Sequence, residues 1–66
     1  MNCKIEFDRE DDSRWIAEIA ELPGVLAYGT TREETEAAVE ALVLRVIADQ
    51  IENQKVGQQS ISFATT

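Results

Sequence analysis

Sixty-six residues with thirteen acidic and six basic side chains, a net charge of −7, one cysteine and no histidine exclude several classes of function at once. No intramolecular disulfide can form, no zinc site of the Cys/His kind can be built within one chain, and the charge opposes direct binding to nucleic acid, whose phosphates need Lys and Arg to replace counterions. A chain this short makes a single domain, 1–66, that buries only about 60% of its unfolded surface and draws no more than ~3–5 kcal/mol from its core unless something staples it.

The opening "MNCKIEFDRE" has no apolar run resembling a signal sequence, and no segment approaches the ~18 apolar residues of a membrane span. The expectation is a soluble cytoplasmic protein. "NCKIEFD" alternates, with Cys3, Ile5 and Phe7 against Asn2, Lys4, Glu6 and Asp8, the period of a strand with one wet face. A polar turn, "REDDS", leads into "RWIAEIA", where Trp15, Ala17 and Ile19 alternate with Ile16, Glu18 and Ala20. Ile16 breaks the phase by falling on the nominally polar side. Strand, polar turn and strand together predict an antiparallel hairpin.

"ELPG" interrupts the second strand, because proline lacks the ladder N–H and Pro-Gly favours a turn. "VLAYG" is apolar enough for a third strand. From Thr31 the period changes: "TREETEAAVEALVLRVIADQIENQ" contains no Gly or Pro and is rich in Ala, Glu and Leu, so it predicts a long helix. Thr31 and Glu34 have capping-box spacing, and Glu33, Glu34 and Glu36 sit where the helix dipole favours negative charge. Gly57 and its polar neighbours are expected to end the helix, and "SISFA" predicts a last strand. The fold class is therefore α+β, in the order βββαβ: a small antiparallel sheet with one long helix packed on a face.

Gly24 and Gly29 have the spacing of a phosphate-binding loop, but that motif continues with Lys and Ser/Thr, and here Thr30 and Thr31 follow. The stretch reads instead as architecture, with Gly24 turning the chain into the third strand and Gly29 letting it leave before Thr31 caps the helix. The residues also argue against an enzyme. No histidine is present to act as a base or to activate Ser13, Ser60, Ser62 or the threonines, and Cys3 lies on an apolar strand face, the ordinary place for a buried thiol. Asp8, Glu10, Asp11 and Asp12 crowd one turn, yet they lack the glycine and distant glutamate of a calcium loop. No catalytic residue, metal ligand or cofactor is expected. A metal-dependent hydrolase using these carboxylates stands as the reading from another class.

Around the helix, Val39, Leu42, Val43 and Val46, extended by Ala38 and Ile47, form a face wide enough to cover a small sheet. Ala37, Leu44, Ala48 and Ile51 cluster roughly opposite, separated by Glu40, Arg45 and Glu52. An exposed apolar patch of this kind marks an interaction site, so these four are the candidates for self-association into a dimer or tetramer.

The run "RWIAEIAELPGVLAYGTTREETEAAVEAL" resembles HicB-like antitoxins. The residues that carry the likeness are Trp15, Ala17, Leu22-Pro23-Gly24, Gly29-Thr30, Glu33-Glu34 and Ala37, in order and at family spacing, with Ala20 standing where a proline is common. The resemblance implies a partial RNase H-like βββαβ fold without that fold's catalysis. It implies assembly into oligomers, and the binding and neutralisation of a small basic RNA-cleaving toxin of the HicA kind. The net charge independently favours a basic partner. Members of the family usually carry a further DNA-binding domain; with Thr66 following so soon after the last strand, the expectation is a short member without that domain, and no basic patch points to DNA. The expected contacts with a partner are Asp8, Glu10, Asp11, Asp12, Leu22, Pro23 and Tyr28. The alternative is a solitary oligomeric protein-binding module of the same fold with no toxin partner.

Overall fold

A computed structural model of the protein describes residues 2–54 and 60–65. The chain runs β1 (Asn2–Arg9), β2 (Trp15–Ile19), β3 (Leu26–Gly29), α1 (Arg32–Gln54) and β4 (Ser62–Thr65), which is the βββαβ order read from the sequence. The strands form one sheet in the order β3-β2-β1-β4. In one respect the expectation needs correcting: the sheet is mixed, not antiparallel. β1–β2 and β2–β3 pair antiparallel, but β4 lies parallel to β1, with Cys3 opposite Phe63 and Ile5 opposite Thr65. The cause is the crossover. Two hairpins leave β3 running the same way as β1, the helix carries the chain back down the sheet, and the next strand must then rise in the direction of β1.

Alternation in β1 and β2 sends Cys3, Ile5, Ala17 and Ile19 to one face, where they are buried with Val39, Val43 and Ile47 of α1. Phe7, Leu22, Val25, Ala27, Ile61 and Phe63 pack around this core, and α1 lies across β2 and β3. Burial, and secondarily the charge of Glu21, push the Cys3 thiol pKa up, so the thiol behaves as a small apolar group. Gly57, expected to end the helix, lies outside the described residues. Among the described residues no helix is long and apolar enough to cross a membrane.

The turns follow their residues. At Leu22–Val25 the Val25 N–H donates to the Leu22 carbonyl at 3.0 Å, and Gly24 takes a φ of 89°, the positive value that the third position of a type II turn requires after proline. Thr31 caps α1: its hydroxyl oxygen accepts the Glu34 N–H at 3.1 Å, while the Glu34 carboxylate accepts the Thr30 hydroxyl at 2.8 Å. One turn on, the fully buried Thr35 donates its hydroxyl to the Thr31 carbonyl at 2.7 Å. Gly29 sits directly against it. A methyl group on Gly29 would collide with Thr35 Oγ1 and stand 3.1 Å from the Thr35 nitrogen and 3.2 Å from its Cα. The glycine is thus required for close approach of β3 to the helix start.

Candidate functional site

None of the described elements covers the face of the sheet turned away from α1, and its composition follows from the register. Asp8 of β1, Ile16 of β2 and Tyr28 of β3 stand in one cross-strand row; Glu6, Glu18 and Leu26 stand in the next. Residues directly opposite in antiparallel strands hold their Cβ atoms ~4.5–5.5 Å apart. Glu6 and Glu18 are therefore like charges facing each other, an arrangement that weakens a sheet. A depression of about 310 Å³ opens here, lined by Glu6, Phe7, Asp8, Glu10, Ile16 and Glu18. Half-buried Ile16 forms its apolar floor and the exposed carboxylates its rim.

Two features next to the depression shape its field. In the Glu10–Ser13 turn, the Ser13 N–H donates to the Glu10 carbonyl at 3.0 Å and the Glu10 N–H to the Arg14 carbonyl at 2.8 Å. Asp12 bonds the Arg14 guanidinium at 2.7 Å, and the Arg14 backbone N–H and charge hold the Asp12 carboxyl below its ordinary pKa. The same guanidinium lies over the Tyr28 ring, 5.0 Å from its centroid. On the helix side of the sheet, Arg9 lies over Trp15 at 5.0 Å and Arg32 over Phe7 at 4.5 Å, with the Phe7 and Trp15 rings edge to face at 6.3 Å. Three of the six Lys and Arg residues are thus held on aromatic rings. Between described residues, Asp12–Arg14 is the one ion pair, so no described basic side chain forms a salt bridge with Glu6, Asp8, Glu10 or Glu18.

Of the contacts expected from the sequence, Asp8, Glu10, Asp11, Asp12 and Tyr28 come together at the end of the sheet holding the β1–β2 turn, all exposed, with Tyr28 at 46%. Leu22 and Pro23 do not join them. The β2–β3 turn lies at the opposite end of the sheet, where Pro23 is exposed and Leu22 packs against the core. Glu6, Glu18 and Ile16 complete the acidic face. The signal for them was the alternation itself, since Ile16 falls in phase with Glu18 on the polar side. Among the described residues no three Asp, Glu or Cys side chains converge as a cage for a metal ion; the carboxylates are spread across two strands and a turn. Ala37, Leu44, Ala48 and Ile51 are all exposed on the side of α1 away from the sheet.

No family model, no curated protein and no solved structure matches this chain.

Proposed function

We propose that the protein is an antitoxin-like binding protein: it captures a small basic RNA-cleaving protein of the HicA kind on the open face of its sheet and so blocks the partner's own RNA-binding surface. The single observation that carries this reading is the depression floored by Ile16 and rimmed by Glu6, Asp8, Glu10 and Glu18. Unpaired carboxylates speed encounter with a cationic surface, and an apolar floor beside an exposed tyrosine provides the desolvated anchor that interface energy needs. The resemblance to HicB-like antitoxins in Trp15, Leu22-Pro23-Gly24 and Gly29-Thr30 supports the same reading. A partial RNase H-like fold used as a scaffold, not as a nuclease, is part of it, and so is a cytoplasmic setting.

The test is affinity capture of the tagged chain from its native lysate, eluted in salt steps, beside a Glu6→Lys/Glu18→Lys variant. A small basic protein should elute from the wild type only at raised salt, carry ribonuclease activity once released, and be missing from the variant. A basic ribonuclease retained equally by both would remove the sheet face from the account. Recovery of the chain alone would favour a solitary binding module.

A further inference from the structure

We propose that the outward side of α1 is a second docking surface, and that its occupant is a cationic amphipathic helix of another protein. Leu44 is 51% exposed and Ile51 36% exposed, both on the side of α1 away from the sheet. With Ala37, Ala41 and Ala48 they form the series 37, 41, 44, 48, 51, in alternating steps of four and three. That spacing keeps an apolar stripe on one side of a helix, against which a second helix can pack knobs into holes. At ~1.5 Å per residue the stripe is about 21 Å long, the reach of a partner helix of about 14 residues. The alanines let the partner's backbone come close, and Leu44 and Ile51 supply the larger apolar contacts.

The charges along the stripe identify the occupant. Exposed Glu33 and Glu52 and half-buried Glu40 border it, and Glu34 adds a fourth carboxylate beside the helix cap. At 3.6 residues per turn, each of the four lies within about 60° of the stripe's centre line. Arg45 is the one basic residue of α1 on this side, because Arg32 lies over the Phe7 ring. None of the four carboxylates forms a salt bridge with a described residue. A second copy of the chain docked here would double these carboxylates, with only the two Arg45 side chains to set against them. Each chain also carries a net charge of −7, so two copies repel. A helix with Lys or Arg beside its apolar stripe meets the same rim with opposite charge, which speeds encounter and disfavours wrong partners. The rim equally repels nucleic acid and an anionic membrane. This surface lies on the opposite side of the two-layer fold from the open sheet face, so the chain can hold two cationic partners at once.

The probe is a synthetic amphipathic helix of Leu and Lys, about 14 residues long to match the stripe, with its leucines in steps of three and four. The control is a peptide of the same composition with the leucines scattered. Amide chemical shifts of the full chain, titrated with each peptide, locate and measure binding. Shifts should concentrate at Ala37, Ala41, Leu44, Ala48 and Ile51, and the patterned peptide should bind about tenfold more tightly than the scattered one, the share of a single interface anchor. Leu44→Gln, shown folded by circular dichroism, should weaken it by about the same factor. Glu33→Gln/Glu52→Gln should weaken it roughly 2- to 30-fold, as expected for two exposed ion pairs, and should flatten its salt dependence. Shifts that leave this stripe untouched, equal binding of the scattered peptide, or a Leu44→Gln chain that binds like wild type would each overturn the proposal. So would a peptide-free wild type that sediments as a dimer which Leu44→Gln dissociates, because the stripe would then belong to a second copy. None of these readouts depends on the sheet face, so the proposal can fail while the proposed function stands.

Discussion

Gly29→Ala should be among the most damaging single-methyl changes in this protein. The added Cβ would collide with Thr35 Oγ1 and crowd the Thr35 backbone at 3.1 and 3.2 Å. Thr35 cannot easily yield, because it is fully buried and its hydroxyl is tied to the Thr31 carbonyl at 2.7 Å in the first turn of α1. Forcing a methyl into a packed site costs about 1–3 kcal/mol, and losing the hydroxyl's bond adds about 1 kcal/mol. The reduced freedom of the unfolded alanine chain returns only about 0.4–1 kcal/mol. The net loss is about 1–3.6 kcal/mol, a melting temperature lower by roughly 4–29 °C, against a total stability of ~3–5 kcal/mol for a core this size. Urea unfolding at one fixed protein concentration measures it, since self-association would make the midpoint depend on concentration. In a Thr35→Ala background the main clash disappears and the cost of Gly29→Ala should fall by about 1 kcal/mol or more. A Gly29→Ala protein within ~0.5 kcal/mol of wild type, the range of an ordinary surface change, would refute the close-approach account. Strict additivity with Thr35→Ala would refute the part assigned to the hydroxyl.

Ser13 holds a φ of 70°, a left-handed conformation that costs a non-glycine residue about 1–2 kcal/mol. Ser13→Gly should therefore raise stability in the same urea assay, and a loss would show that the serine side chain contributes more than its backbone strain removes. Thr31→Ala should lower stability by about 1 kcal/mol through loss of the cap, seen as a lower urea midpoint with an unchanged slope. Burial, and next the charge of Glu36, hold the Glu40 carboxyl above its ordinary pKa. The folded state therefore binds this proton more tightly than the unfolded state does, and stability falls as pH rises from the ordinary glutamate range through the raised folded value. Measured where the chain is dilute enough to be monomeric, Glu40→Gln should be the more stable protein at neutral pH, with its advantage fading in acid; an advantage that grows in acid would reverse the sign.

Much of the fold was legible in the residues. Alternation located β1 and β2 because each has one face against α1 and one open, and the change of period after Thr31 located the helix with its cap. The direction of β4 was not legible. Four residues of weak alternation carry no record of which neighbour they will pair with, and only the length and path of the crossover decide it. Gly29 was read as a strand exit, whereas its close packing against Thr35 depends on a residue six positions away on another element. Of the site, the acidic turn and Tyr28 were visible. The acidic face as a whole appears only when register sets Glu6 against Glu18 and places Ile16 between Asp8 and Tyr28. The misfit of Ile16 in the alternation was its one trace, and the distance between Leu22-Pro23 and the acidic turn left none.

The most direct test of the central claim is a ribonuclease assay on the protein captured from the native lysate, titrated with fresh wild-type chain and with Glu6→Lys/Glu18→Lys. The variant exchanges one like-charge pair for another in the same register, so circular dichroism and an unchanged urea midpoint are needed to show that a loss of inhibition is not a loss of structure. The account predicts that wild-type chain silences the ribonuclease at stoichiometric amounts, less effectively as salt rises, and that the variant does not. Inhibition by the variant equal to that by the wild type, or RNA cleavage indifferent to both, would contradict it.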